Sequence, residues 1–306
     1  ADPNAGMGVA LGDLDGDGRD DLLITNARSQ GHLLALRADG PTLLFARAAA
    51  DDLPTAFADA TGFGVALADF DRALKINPSF PMAFHNRGLA LHDRGDYDRA
   101  IQDLSQALKL DANNTLALND RAIAYGAKGD NDRAIKDFDQ ALKLGPDNIN
   151  ALMHRGVAYG ANGDFERGFA DLNRAIEISP DFGKAYYYRG VLYTLRGSSD
   201  RALSDYSEAI RLEPQNPEGL IGRAGIYVRL GDMDGAVTDY NAAIKLQPAD
   251  PALYYNRGFT LFNKGEYEKA LQDYRRAVRL NPGLAQAFNN ACLAQAVIGK
   301  ELEKAL

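Results

Sequence analysis

Cysteine is nearly absent from this 306-residue chain: Cys292 stands alone, so no intrachain disulfide is possible. Long apolar runs are missing too. No stretch approaches the roughly 18 consecutive apolar residues of a membrane-spanning helix, and no basic-then-apolar leader opens the chain. Clustered basic residues are also lacking. The net charge is −8, and no Lys/Arg patch of the kind a phosphate backbone requires stands out, which argues against nucleic acid as a partner. Catalytic signatures are absent as well: there is no nucleophile elbow, no Gly-rich phosphate cradle and no zinc-ligand spacing. Only four histidines occur, His32, His85, His92 and His154. His85 and His92 share a helical face but lie two turns apart, too far for one metal, and all four read as packing or solvated side chains. Cys292 has no evident His partner and reads as a small packing residue. These absences leave a non-enzymatic chain as the expectation.

Charge is also scarce in one sign at the front. Residues 1–70 hold no Glu and no Lys, but eleven Asp and four Arg. Residues 71–306 are nearly balanced, with 31 acids and 30 bases. The composition of the whole chain, 46% hydrophobic and 25% charged, is that of a soluble globular protein. The chain opens at Ala1 without Met and closes on GKELEKAL, inside a pattern, which suggests a fragment or processed product.

What is present is a repeat. Six Arg, at 87, 121, 155, 189, 223 and 257, recur every 34 residues, each before a small residue: Gly88, Ala122, Gly156, Gly190, Ala224 and Gly258. Twelve positions on from these come Ala100, Ala134, Gly168, Ala202, Ala236 and Ala270, then Leu104, Phe138, Leu172, Tyr206, Tyr240 and Tyr274. A further series of alanines follows, Ala107 to Ala277, and each repeat closes at Ala112, Pro146, Pro180, Pro214, Pro248 or Pro282. Small residues let two antiparallel helices approach closely, large ones fill the gaps between them, and Pro ends each repeat because it cannot continue a helix.

This pattern resembles the tetratricopeptide repeat family over residues 81–284, as six full repeats. The resemblance implies a mostly α fold, a right-handed α-solenoid of paired antiparallel helices. Each hairpin is too small to bury its apolar face alone, so stacking supplies a continuous core and leaves terminal faces open unless something covers them. The departures are Ala112 for a terminal Pro, Gly168 for a packing Ala, and Arg where the family usually has an aliphatic residue before the small one. A partial repeat covers 285–306. Its Gly299 is in phase but Ala305 falls one residue late, so a first helix over about 285–298 is the firmer half. An Asp stands level with each Arg on the facing helix: Asp103, Asp137, Asp171, Asp205, Asp239 and Asp273. The pairs read as a structural ladder of ions within or between repeats. The competing reading is a row of cations for an acidic ligand.

The front carries a different signal. Asp13, Asp15 and Asp17 place oxygens at alternate positions, Arg19 can add its carbonyl, and Asp21 closes the loop, with Gly16 and Gly18 allowing the turn. An all-oxygen set suits Ca2+. Ile24 stands where a helical calcium loop of the EF-hand type needs Glu, and the flanks GVAL and DLLIT read as strands. The stretch resembles the calcium loops of FG-GAP or VCBS-type β-propeller blades, in which a β-hairpin carries the metal. The bland alternative is a solvated acidic turn. The segment 1–60 is therefore expected as a small, partial blade, with HLLALRADGPTLLFARA supplying further strands around a turn at 38–40. One blade has exposed edges and a thin core. A weak calcium loop makes sense outside the cytosol, which slightly favours an extracytoplasmic location.

The two patterns meet at GVALADFD. As a metal loop this fails, because Ala73 stands where an acid or Asn should and Leu74 where a Gly should. In the 34-residue register, Ala66, Asp69, Phe70, Ala73 and Pro78 are all in phase. The spacing predicts a helix from Val65 to Ile76, with Thr61 near its cap, as a half repeat (65–80) opening a helical domain over 65–306. That helix is expected to cover the first full repeat.

On the family's fold, the first helices line an inner face suited to a peptide or partner helix. Two series fall there: His85, Asn119, Met153, Tyr187, Ile221 and Tyr255, then Leu89, Ile123, Val157, Val191, Gly225 and Phe259. Each could be a contact or a core residue. Some relatives clamp a C-terminal carboxylate with Lys and Asn at these positions. Here the first series has no Lys and the second is apolar or Gly, which argues against that clamp. The expected function is protein–protein interaction in this groove. The alternative is a calcium-dependent extracytoplasmic adhesion or assembly module.

Overall fold

Each of the six helical hairpins among the described residues turns on a glycine with a positive φ. Gly95, Gly129, Gly163, Gly197, Gly231 and Gly265 all lie between +79° and +87°, a left-handed conformation that only glycine adopts cheaply. Next comes the cap of the second helix. Asp96, Asp130, Asp164 and Asp232 each accept a hydrogen bond from the backbone N–H three residues on, worth about 1 kcal/mol apiece. Ser198 and Glu266 hold the same place without that bond.

The structure is a computed structural model that describes residues 8–12, 21–25, 33–36, 43–46 and 60–305. Four strands come first: β1 (Gly8–Gly12), β2 (Asp21–Thr25), β3 (Leu33–Leu36) and β4 (Leu43–Ala46). They form one antiparallel sheet in the order β1-β2-β3-β4, with Gly12 opposite Asp21 and Leu36 opposite Leu43. Among the described residues fourteen helices follow. They are α1 (Ala60–Ile76), α2 (Pro81–Asp93), α3 (Tyr97–Leu110), α4 (Thr115–Ala127), α5 (Asn131–Leu144), α6 (Ile149–Ala161) and α7 (Phe165–Ile178). The remainder are α8 (Gly183–Leu195), α9 (Ser199–Leu212), α10 (Glu218–Leu230), α11 (Met233–Leu246), α12 (Pro251–Asn263), α13 (Tyr267–Leu280) and α14 (Ala285–Ala305). The chain divides into two compact units, Ala1–Ala151 and Leu152–Leu306.

In the first unit, α1 begins at Ala60, five residues before the expected Val65, and takes in Thr61. It packs on α2. Leu67, Phe70, Ala73 and Leu74 share one core with Phe80, Ala83, Ala90, Leu91 and Ala100, and Phe70 is fully buried. The half repeat therefore does cover the first full hairpin, as its in-phase apolar residues require. β1 also lies near α1. Within the hairpins α2–α3 and α4–α5, the small and large positions pack as the spacing predicts. Ala100, Leu104, Ala107, Ala134 and Ala141 are fully buried, and Phe138 nearly so.

In the second unit Leu172 keeps an aliphatic residue at the large position, and from α9 on larger rings fill it. Tyr206, Tyr240 and Tyr274 replace Leu and Phe, and all three are buried. Two small residues receive the ring of Tyr206. A Cβ on Gly190 would lie 2.9 Å from its Cε1, and one on Gly222 would lie 2.6 Å from the same atom. Burial moves the ionisation of Tyr274 and of Tyr187 on α8. Tyr187 is pushed up to about 12, by burial first and then by the charge of Glu218, and burial pushes Tyr274 to about 12. The sign is fixed by linkage. Between the ordinary value of 10.0 and about 12 the folded chain holds protons that the unfolded chain has lost. Their stabilisation is complete below pH 10 and is expected to fall as pH rises toward 12. Thermal melts across that range, read beside phenolate absorbance, check this; melting temperatures that stay flat while the tyrosines ionise would refute it.

At the end of the chain the structure departs from the expected pattern. The helix does not turn at Gly299: α14 runs unbroken from Ala285 to Ala305, so the partial repeat is one helix and not the start of two. One residue on, Lys300 stands where the other hairpins have Asp, Ser or Glu, and Lys is a good helix former that favours continuing the helix. Cys292 occupies the small-residue position of this repeat, yet it is exposed. With no second helix against it, the expected packing role is not realised.

Candidate functional site

The six Arg–Asp pairs form as fork-to-fork ion pairs. In each, Nε and Nη2 of the Arg donate to the two carboxylate oxygens of the Asp sixteen residues later, at 2.6–2.8 Å. All six Asp are buried. The third nitrogen reaches backward into the preceding repeat. Arg87 Nη1 donates to Asp71, Arg121 to Ser105, Arg189 to Asn173, Arg223 to Ser207 and Arg257 to Asn241. One guanidinium thus ties its own hairpin together and fastens it to the helix before. Hydrogen bonding to the Asp raises the pKa of Arg87, Arg189, Arg223 and Arg257, against burial, which lowers it. With both carboxylate oxygens engaged, this row is structural. It is not a line of open cations for an acidic ligand.

The predicted groove residues separate by burial. In the first unit, His85 and Leu89 on α2 and Asn119 on α4 are buried, and Ile123 is half-buried. The ring of His85 is engaged across to the next first helix, Nε2 lying 2.7 Å from Asp120 Oδ2. The side-chain oxygen of Asn119 is buried without a hydrogen-bond partner. In the second unit Met153 is core, packed with Phe169, Leu172 and Leu192. Val157, Tyr187, Val191, Ile221 and Tyr255 are half-buried, and Phe259 is 43% exposed. Tyr187 meets Tyr188 edge-on at 5.1 Å, and Tyr255 lies 5.9 Å from Tyr274. The open apolar surface of the two series is therefore concentrated on α8, α10 and α12. Two residues that the periodicity did not single out belong there as well: the half-buried Tyr188 and the exposed Glu218. They sit one position after Tyr187 and three before Ile221, and the spacing of these helices gave the only signal that could have found them.

The metal-loop residues Asp13, Asp15, Asp17 and Arg19 lie outside the described residues. Asp21 opens β2. β1 and β2 pair antiparallel, with Gly12 opposite Asp21. No helix among the described residues is long and apolar enough to cross a membrane.

Comparison with known proteins agrees with this geometry. Tetratricopeptide repeat family models match residues 70–102, 119–181, 183–216 and 251–284, and a TPR repeat model matches 88–129 and 224–265. An FG-GAP repeat model matches residues 5–33. Among solved structures, the chain is similar to the APC/C hetero-tetramer Cut9–Hcn1, with a TM-score of 0.64 and 14% identity over 76% of this chain and 46% of that one. It is similar to a tetratricopeptide repeat protein from Parabacteroides merdae, with a TM-score of 0.63 and 21% identity over 78% and 94% of the two chains. Yeast Tom70 gives 0.59 and 18% over 79% and 60%. At these identities the likeness concerns the fold alone, and the chain spans less than half of the Cut9–Hcn1 chain and under two-thirds of Tom70. No curated protein matches the chain. The family matches run through all six hairpins and their Arg–Asp ladder, and the chain belongs to the tetratricopeptide repeat family.

Proposed function

We propose that the chain is a protein-interaction scaffold that holds a peptide or partner domain against its first helices. One observation carries this reading. Tyr187, Val191, Ile221, Tyr255 and Phe259 recur in register on α8, α10 and α12 and keep apolar surface open to solvent. A row of this kind fits the alternate side chains of an extended segment or the anchors of a helix. Of the other residues in the two series, His85, Leu89 and Asn119 in the first unit and Met153 in the second are buried, and Ile123 and Val157 are half-buried. A structural neighbour, Cut9–Hcn1, is itself a hetero-tetramer, which is consistent with an assembly role. Pull-down from the source proteome with Phe259→Ala and Tyr187→Ala tests the reading. Loss of a partner that the unaltered chain retains is expected, and equal recovery would count against it. Phe259 is the more informative position, because its truncation removes exposed surface and leaves the core intact.

A second reading rests on the front segment, where the FG-GAP match and the β1–β2 hairpin bracket the acidic loop. On it, Asp13, Asp15, Asp17, Asp21 and the Arg19 carbonyl hold Ca2+, and the segment acts in calcium-dependent adhesion or assembly outside the cytosol. Calorimetric titration with Ca2+ is expected to give a binding heat that Asp15→Ala abolishes. A chain that gives no heat, or an unchanged one in the variant, removes this reading.

A further inference from the structure

Two glycines on α10 differ in a way that matters for binding. Gly222 has a steric reason to be glycine, since a Cβ there would strike the Tyr206 ring. Gly225 has none: it is exposed, and a Cβ built on it meets nothing within 4 Å. Glycine in a helix interior costs about 0.5–1 kcal/mol relative to Ala, and here neither packing nor backbone conformation offsets it. In register, the same position carries Val191 on α8, Phe259 on α12 and Leu293 on α14. Gly225 therefore leaves a notch in an otherwise apolar row, with Ile221 one turn earlier on the same helix.

A charge lies at the other end of α10. Glu218 is exposed, and Asn216 is its hydrogen-bond partner, donating from Nδ2 at 3.3 Å. Among the described residues no Lys, Arg or His lies within ion-pair distance of it. Its carboxylate is close enough to Tyr187 and Tyr188 to act on the ionisation of both. Glu218 and Gly225 are two helical turns apart, so they share one face and lie about 10 Å from each other along the axis. An extended chain covers that distance in about three residues.

We infer that the α8–α10–α12 face binds a partner segment with a bulky apolar side chain seated over Gly225 and a Lys or Arg about three positions away, set against Glu218. This rests on the scaffold reading and narrows it. The apolar side chain fills the notch and gains the contacts that the missing Cβ leaves unmade. The basic residue supplies the counter-charge that Glu218 lacks, near Tyr187 and Tyr188.

The test is selection from a display library of random peptides of about a dozen residues on the full 306-residue chain, in parallel with Gly225→Leu, Glu218→Lys and Phe259→Ala. The unaltered chain is expected to enrich Lys or Arg about three positions from Leu, Phe or Tyr. Gly225→Leu should cut retention of those peptides about tenfold or more while melting no lower than the parent, because Leu is a good helix former and the space is open. Glu218→Lys should remove the basic preference. If the enriched peptides bind Gly225→Leu undiminished but are lost with Phe259→Ala, the groove stands and the notch assignment falls. If nothing is enriched, or retention ignores all three substitutions, both readings fall. Concentration-dependent self-association of the chain that Gly225→Leu abolishes would make a second copy the occupant and overturn the assignment to a basic–apolar partner.

Discussion

Asp205→Ala is expected to destabilise the second unit by about 3 kcal/mol. The side chain of Asp205 is 7% exposed and accepts from both Nε and Nη2 of Arg189 at 2.8 Å. Removing it strands a largely buried guanidinium that cannot shed its proton, since Arg stays charged at any ordinary pH. The remaining bond from Nη1 to Asn173 at 2.7 Å satisfies one donor only. Replacing both partners is a different matter. Arg189→Met added to Asp205→Ala removes the stranded charge and fills much of the same volume, so most of the loss should return. Amide exchange across α8 and α9 is the suitable readout, because repeat stacks open locally and a single global unfolding energy is not assured. Protection in α8 and α9 that changes by less than about 0.5 kcal/mol in Asp205→Ala would show the ladder to be ornamental. A double variant no better than the single one would show that the cost comes from somewhere other than the stranded charge.

The ladder was legible in the sequence because both of its members are chemically invariant: six Arg, six Asp and a fixed offset of sixteen. Its backward arm was not, because the acceptor is Asp71, Ser105, Asn173, Ser207 or Asn241, types that share an oxygen but no letter. The packing positions were equally legible, since small and large residues alternate for a reason that every hairpin repeats. The ends were harder to read. At Gly299 the turn glycine is present, but Lys300, a good helix former, follows it in place of Asp, Ser or Glu, and the helix runs on. A one-residue slip in the final alanine hinted at this without revealing its cause. Cys292 followed the same logic: its register was right, but the helix that would have buried it is not formed. At the start, the shared letters of GVALADFD hid how early α1 begins.

The candidate face was half legible. Periodicity placed His85, Asn119, Met153, Tyr187, Ile221 and Tyr255 at equivalent positions, but equivalence of register is not equivalence of exposure. His85 is consumed by Asp120 and Met153 by Phe169 and Leu192, whereas Tyr187 and Tyr255 keep part of their rings in water. What differs is the size of the neighbours, which a 34-residue average does not record. Nor could the spacing alone say that Glu218 has no cation beside it among the described residues.

Gly168→Ala is expected to destabilise the α6–α7 hairpin by about 1–3 kcal/mol, although Ala is the residue that the other five hairpins carry at this place. Helix propensity alone predicts the opposite sign, a gain of about 1 kcal/mol. Ala100, Ala134, Ala202, Ala236 and Ala270 are all fully buried, so a methyl group fits between the helices there. Between α6 and α7 it does not. A Cβ on Gly168 would come to 2.8 Å from the carbonyl oxygen of Gly156 and 2.8 Å from Leu192 Cδ2, with the Gly160 nitrogen at 3.4 Å. Leu192 could rotate away, but the Gly156 carbonyl is backbone and moves only if the helices separate. Glycines at 156, 160 and 168 have let these helices close until Leu192 fills the remaining space, and a Cβ on Gly160 would also strike Leu192, at 2.9 Å. The substitution therefore sets a steric cost against an entropic gain, and the magnitudes favour the cost. Urea denaturation of Gly168→Ala beside the parent decides it: a midpoint shifted upward would mean that the hairpin relaxes to admit the methyl and that the close approach at Gly156 is not a constraint.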